Sequence, residues 1–151
     1  MVTAFPALEG MRVRLEPVVD THAGDLVTAA LENPDIYRYT AVPLGLAATV
    51  AYLERLRAAD AAGESVLLTQ IRTSDQRTVG ITRLVNFRCR PGGHRPYAVE
   101  IGGTWLAAPA QRTGINREAA LEGIGARLEG VLRAWQPSQA PGEGDALRDS
   151  R

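Results

Sequence analysis

Lysine is absent from this sequence, and all 17 of its basic residues are arginine. The 17 acidic residues balance them, so the formal net charge at pH 7 is zero. A surface without net positive charge has no bulk attraction for nucleic-acid phosphates or anionic lipid headgroups. The charge balance therefore argues against nucleic-acid and membrane partners. It also gives little repulsion between copies, which is compatible with self-association.

Cysteine is almost absent as well. The single Cys89 excludes an intrachain disulfide, which is typical of a reducing cytosol. The first ten residues lack the basic start and apolar core of a signal peptide, and no apolar run is long enough to span a bilayer. We therefore expect a cytoplasmic protein. Two isolated histidines and one distant cysteine do not make a metal site, so no metal is expected.

The length and composition fit one folded domain. The chain has 151 residues, 45% of them hydrophobic, as in an ordinary globular domain. We assign residues 1–135 to this domain. The remaining residues, 136–151, are rich in proline, glycine and aspartate, and we expect them to form a poorly ordered tail.

Hydrophobic patterning predicts an α+β fold. Residues 11–17 alternate apolar and polar side chains and stop at a proline, which indicates a half-buried strand. Further along, the pattern predicts helices at residues 20–31 and 49–62, strands at 65–71, 79–87 and 97–106, and a helix from about Thr113. Three consecutive strands with short connections favour an antiparallel sheet.

The most informative segment is the connection between the last strand and the last helix. Such a turn directs several free backbone N–H groups one way, and the helix dipole adds partial positive charge. Together these features favour an anion site of the kind that binds a pyrophosphate. Gly114 would let the phosphate approach the backbone closely. By spacing alone, a strand-turn-helix unit that binds nothing is an equal alternative.

A family resemblance strengthens the first interpretation. The pattern Gln111-x-x-Gly114-x-Asn116 resembles the acetyl-CoA loop of the GNAT superfamily of N-acetyltransferases, Gln/Arg-x-x-Gly-x-Gly/Ala. Asn116 departs from the usual last residue, although asparagine tolerates left-handed backbone angles well. In order, residues 8–17, 79–84, 100–106 and 111–119 resemble the first, third and fourth strands and the loop of the branch that acetylates ribosomal-protein N-termini.

The resemblance implies a GNAT-like sheet, mixed but mostly antiparallel, flanked by helices. It implies transfer of an acetyl group from acetyl-CoA, as co-substrate, to the primary amine of a small molecule or of a protein N-terminus. The cofactor-binding residues that it implies are Gln111, Arg112, Thr113, Gly114, Ile115 and Asn116.

The resemblance also implies a catalytic residue and an acceptor region. Glu100, on the fourth strand, matches the position of a base that takes the amine proton, often through water. Partial burial would suit that role by raising the pKa of this carboxyl group. The structural alternative is a strand carboxylate bonded to Arg83 or another neighbour. Residues 37–39 lie where the family often forms its acceptor site, with simple packing of that loop as the alternative.

Beyond Ala119 the sequence departs from the family pattern. The family continues the helix and adds a fifth strand, a fourth helix and a sixth strand, whereas residues 121–133 here resemble the end of the fourth helix and the sixth strand. This implies an internal deletion of roughly 30 residues between Ala119 and Leu121. Residues 147–150 resemble the start of the seventh strand, which implies a truncated C-terminus.

A deletion of that kind would shorten the C-terminal half and leave the fourth strand with an unpaired edge. The alternative function is then a catalytically inactive remnant that binds acyl-CoA weakly or acts only through protein–protein association. The structural alternative is that residues 117–135 form one long helix. Three glycines count against a helix, since each costs about 1 kcal/mol relative to alanine in a helix interior.

Overall fold

The computed structural model describes residues 5–135. Five strands form one sheet in the order of the chain: β1 (Leu8–Glu9), β2 (Val13–Pro17), β3 (Ser65–Arg72), β4 (Arg77–Cys89) and β5 (Pro96–Leu106). Neighbouring strands pair antiparallel throughout this part of the chain. The α+β class is confirmed, and the pairings are all antiparallel where the resemblance implied a mixed sheet.

Two helices connect β2 to β3. These are α1 (Ala23–Leu31), preceded by a 3-10 turn at Asp20–His22, and α2 (Leu46–Ala61). Between them lies a second 3-10 turn, Pro34–Ile36, at the Asn-Pro pair that interrupts the helical pattern. Each predicted helix and strand up to β5 lies within a few residues of its predicted position.

Both faces of the sheet are covered. Helices α1 and α2 pack on β4 and β3, while the helical segment that follows β5 packs on β2 and β5. Strand β3 is consequently buried on both faces, from Ser65 through Ile71. A continuous apolar run such as the one in β3 is typical of a strand with two covered faces, in contrast to the alternating pattern of β2.

Residues 115–134 are helical throughout, so the prediction of a sixth strand within residues 121–133 was wrong. It consists of α3 (Ile115–Glu118), a π-helical stretch at Ala119–Ile124, a 3-10 turn at Gly125–Arg127 and α4 (Leu128–Ala134). Gly123 is buried, and a Cβ atom there would lie 3.3 Å from Cδ1 of Leu15. This glycine is tolerated because it lets the helix approach the sheet closely, which offsets its low helix propensity.

Trp135, which follows α4, attaches the end of this helix to β4 and to the connection between α2 and β3. Trp135 stacks on Phe87 of β4, with ring centroids 4.4 Å apart, and its indole N–H donates to the carbonyl of Gly63 at 3.1 Å. Within residues 5–135, β5 pairs with β4 alone and so forms one end of the sheet. The predicted tail and the resemblance to a seventh strand fall outside the described residues.

No helix among residues 5–135 combines the length and the apolar character needed to cross a bilayer.

Candidate functional site

The candidate site is built at the junction of β5 and α3. After Leu106 the chain makes a 3-10 turn at Ala108–Ala110 and enters α3 at Ile115. Two residues of this turn have left-handed backbone angles, Arg112 with φ of 60° and Gly114 with φ of 88°. Such angles are uncommon outside glycine, so the turn has a specific shape that few sequences adopt.

Three backbone N–H groups of this turn have no hydrogen-bond partner in the described part of the chain. The N–H groups of Ala110 and Gln111 point back to the carbonyls of residues 107 and 108, but no hydrogen bond among residues 5–135 uses the N–H of Arg112, Thr113 or Gly114. The Thr113 hydroxyl donates to the Ala110 carbonyl at 2.6 Å and so fixes the turn. Free donors at the start of a helical segment form a site for an anion.

A guanidinium group lies beside this turn. A Cβ atom at Gly114 would be 3.8 Å from both Cδ and Nε of Arg12, whose side chain is 59% exposed. Arg12 is held there by Glu118, which is only 3% exposed and accepts the backbone N–H groups of Arg12 and Val13 at 2.6 and 2.9 Å. The two side chains also form an ion pair, with 3.7 Å between Nη1 and Oε1.

Sequence reasoning missed both Arg12 and Glu118. They are 106 positions apart in the chain, and neither belongs to the loop motif. The only local signal was that Glu118 is an acidic residue in the first turn of a helix. That position usually indicates a favourable interaction with the helix dipole and does not predict a contact with a distant strand. The contact becomes visible only when β2 and α3 are placed side by side.

A cleft of about 330 Å³ opens beside the turn. Three segments enclose it, with the lining residues Ile36, Tyr37, Thr40, Thr104, Trp105, Leu106, Gln111, Arg112 and Asn116. The structure therefore brings the predicted acceptor loop and the predicted cofactor loop to one cavity. Of the residues proposed for the acceptor region, Tyr37 lines the cleft, whereas Arg38 and Tyr39 are exposed outside it.

Tyr37 connects the acceptor loop to the end of β5. Its hydroxyl donates to the Leu106 carbonyl at 2.9 Å, and the same carbonyl accepts from Nε2 of Gln111 at 3.1 Å. The ring meets Trp105 edge-on, with centroids 5.8 Å apart. Burial, and to a smaller extent the charge of Glu32, raises the pKa of Tyr37, so its hydroxyl stays protonated and keeps donating at neutral pH.

The six predicted loop residues have different positions. Gln111, Arg112 and Asn116 line the cleft, and Thr113 and Gly114 shape the exposed turn. The Ile115 side chain is only 2% exposed and belongs to the hydrophobic core, so any contact of this residue with a ligand would be through its backbone.

Glu100 does not have the environment that the sequence suggested. It is exposed on β5, opposite Val85, and accepts a hydrogen bond from Nδ2 of Asn86 at 2.8 Å. Glu100 therefore lacks the partial burial that would suit a general base. The structural alternative, a strand carboxylate bonded to a neighbour, describes what is seen, with Asn86 as the neighbour in place of Arg83.

Comparison with known families decides the class of protein. A model of the Acetyltransferase (GNAT) domain matches residues 12–128. This chain belongs to that family. The match continues across residues 119–121, so the comparison gives no support to an internal deletion there, nor to an inactive remnant.

Solved structures of acetyltransferases have the same fold. A GCN5-related N-acetyltransferase from Brucella melitensis matches with a TM-score of 0.66 at 20% identity, covering 84% of this chain and 56% of the other. The Microcin C7 self immunity acetyltransferase MccE, solved with acetyl-CoA and AMP, matches with a TM-score of 0.66 at 16% identity, covering 87% and 72%. A ribosomal-protein-S5-alanine acetyltransferase from Vibrio fischeri matches with a TM-score of 0.61 at 14% identity, covering 83% and 69%.

These likenesses show the fold and no particular substrate. Ribosomal-protein acetyltransferases are one of several kinds of protein among the matches, so the branch within the family is not decided by them. The chain spans little more than half the length of the Brucella protein, 56%. No curated protein matches the chain.

Proposed function

We propose that this protein transfers an acetyl group from acetyl-CoA to a primary amine, either on a small molecule or at a protein N-terminus. The observation that carries the proposal is the turn at residues 112–114, whose three unpaired N–H groups lie next to Arg12 at the mouth of the cleft. Membership in the GNAT family and the likeness to an acetyltransferase solved with acetyl-CoA support it.

The turn fits the pyrophosphate of acetyl-CoA. A diphosphate needs several donors within a small area, together with positive charge. The N–H groups of Arg112, Thr113 and Gly114 supply the donors, and the guanidinium groups of Arg12 and Arg112 supply the charge. The missing Cβ of Gly114 leaves space between the backbone and Arg12.

Strand β5 fits the pantetheine arm. The outer edge of β5 has no partner strand within the described chain, so its N–H and C=O groups are available to the amides of an extended ligand.

The same edge could instead pair with a second copy of the chain, since unpaired edge strands also associate with other chains. Self-association through β5 therefore stays a prediction.

Glu100 is our candidate for the group that accepts the amine proton. It lies on β5, the strand proposed to hold the thioester arm, and its exposure allows transfer through a water molecule. An amine must lose a proton before or during attack on the thioester carbonyl, and a nearby carboxylate accelerates this step.

Replacing Glu100 with glutamine should lower kcat/KM near neutral pH on the order of 100-fold, the low end of the range for general-base catalysis. Part of the loss should be recovered near pH 10, where more of the amine is already deprotonated. The Glu54→Gln variant removes an exposed carboxylate on α2 and serves as the control. Pre-steady-state and steady-state rates that match wild type across this pH range would reduce Glu100 to a structural role.

The proposed activity itself is tested by thiol release from acetyl-CoA. Purified protein is assayed with a panel of small amines and N-terminal peptides, and we expect turnover of about 1 per second or faster with the best acceptor. Calorimetric titration with CoA checks the binding step separately. A folded protein that neither binds CoA nor releases thiol above the uncatalysed rate would contradict the proposal.

A further inference from the structure

Arg83 of β4 differs from the other half-buried arginines of the described chain. The others each form an ion pair with a carboxylate: Arg14, Arg57 and Arg72. Arg83 forms no ion pair or hydrogen bond with any residue in the range 5–135, and its Nε atom is buried without a partner. A partly buried guanidinium is costly to leave unpaired, because it has lost part of its hydration.

The position of this guanidinium depends on a glycine. A Cβ atom at Gly103 would lie 2.7 Å from Nε and 3.3 Å from Cζ of Arg83, so the guanidinium rests directly against the β5 backbone. Gly103 has φ of 57°, and the pairing of β4 and β5 shifts register at this point. The bulge thus makes room for the arginine, and the exposure of Gly103 leaves the group reachable from solvent.

Two further polar groups lie on the same face of the sheet. Ile81 pairs with Trp105 and Arg83 pairs with Gly102, which places Arg83 and Trp105 on one face, beneath α2. Trp105 is only 4% exposed, and its indole N–H makes no hydrogen bond of good geometry among residues 5–135, although the Tyr52 hydroxyl of α2 interacts with it. Burial raises the pKa of Tyr52, while this interaction with the Trp105 indole and the charges of Arg83 and Arg55 oppose the rise.

We propose that Arg83, on the same face of the sheet as Trp105, binds a carboxylate of the acceptor, so that the preferred substrate is an amine that also carries a carboxylate. The inference rests on the proposed acetyl transfer, and it names the class of acceptor. Arg83 does not itself line the cleft, but it lies on the same face of the sheet as Trp105, which does. A carboxylate satisfies the guanidinium through two parallel hydrogen bonds. One guanidinium balances one negative charge, which favours a carboxylate over a doubly charged phosphate.

Direct binding can be followed at the two tryptophans. The chain has only Trp105 and Trp135, and the indole N–H of Trp135 already donates to the Gly63 carbonyl. In an NMR titration with γ-aminobutyrate, the indole N–H resonance of Trp105 should move saturably while that of Trp135 stays in place. The analogue γ-aminobutyramide, in which an uncharged amide replaces the carboxylate, should move neither resonance. An equal response of Trp105 to the amide would overturn the proposal.

Variants identify the arginine. Arg83→Gln should weaken γ-aminobutyrate binding at least about tenfold, whereas Arg83→Lys should retain part of the affinity because the charge remains. Arg88→Gln, which removes an exposed arginine from the same strand, should leave binding unchanged. An unmoved Trp135 resonance in Arg83→Gln shows that the fold is intact. Unchanged affinity in this variant, or a response to aminoethylphosphonate but not to γ-aminobutyrate, would contradict the carboxylate assignment.

Kinetics separate this inference from the proposed function. In wild type, kcat/KM should be higher for γ-aminobutyrate than for γ-aminobutyramide, and Arg83→Gln should remove the preference by lowering kcat/KM far more for γ-aminobutyrate than for the amide. The NMR titration needs no acetyl transfer. A saturable Trp105 shift without any thiol release would therefore support the carboxylate site and overturn the acetyl-transfer proposal. Acetylation of both amines with no preference between them would support acetyl transfer and overturn the carboxylate site.

Discussion

Replacing Gly114 with valine should weaken the binding of CoA on the order of 100-fold, because the substitution changes the turn that carries the unpaired N–H groups. Gly114 has φ of 88°, a left-handed angle that a β-branched residue rarely adopts. Holding valine there costs about 1 to 3 kcal/mol, and the turn can relieve this strain by rotating its N–H groups away from the cleft. The valine methyl groups would also extend toward Arg12, which already lies 3.8 Å from the Cβ position.

A second glycine provides a matched control. Gly92, in the exposed loop between β4 and β5, has φ of 74° and no neighbouring atom within 4 Å of a Cβ position. Gly92→Val therefore introduces similar backbone strain far from the proposed site. Isothermal titration calorimetry with CoA should show unchanged affinity for Gly92→Val and a large loss for Gly114→Val, while circular dichroism shows both folded. Equal affinities for the two variants would remove the turn from the binding site.

Replacing Glu118 with alanine should lower the free energy of unfolding by about 3 kcal/mol or more, because it leaves two backbone N–H groups without an acceptor. One of them belongs to Val13, which is only 2% exposed, so water does not readily replace the lost carboxylate. The same substitution removes the ion pair that holds Arg12 beside Gly114. Urea unfolding followed by circular dichroism measures the effect.

Two further variants define the cause. Glu118→Gln keeps an oxygen that can accept a hydrogen bond from the backbone, so it should lower the free energy of unfolding by only about 1 kcal/mol. Glu122→Ala removes an exposed carboxylate from the same helical segment and should change the free energy of unfolding by less than about 0.5 kcal/mol. If Glu118→Ala proved no more destabilising than Glu122→Ala, the carboxylate would not be the contact that joins β2 to α3.

The predicted elements were correct wherever a local pattern determines the structure. Residues 65–71 were predicted as a strand and lie within Ser65–Arg72, and the helix predicted at 49–62 corresponds to Leu46–Ala61. Gly114, predicted to matter because it has no side chain, also has a left-handed backbone angle. These features follow from side-chain periodicity and turn preferences, which act over a few residues.

The errors arose where distant contacts outweigh local preference. Gly123, Gly125 and Gly130 argued against a helix when each was judged by its helix propensity alone. The segment is helical because it packs on β2, where Gly123 meets Leu15, and because Trp135 anchors its end on Phe87. Burial of an amphipathic face contributes more to helix stability in proteins than intrinsic propensity does.

The sequence by itself determined the α+β class, the order of elements from β2 through β5 and the loop at residues 111–116. Only the tertiary structure decided which groups lie near that loop, Arg12 held by Glu118 and Tyr37 bonded to Leu106. It also decided that Arg83 lies against Gly103 of β5 without a partner among residues 5–135. It also decided that Glu100 is exposed and bonded to Asn86. The physical reason is that hydrogen bonds and charges depend on distances in space, and packing of the sheet brings together residues that are far apart in the chain.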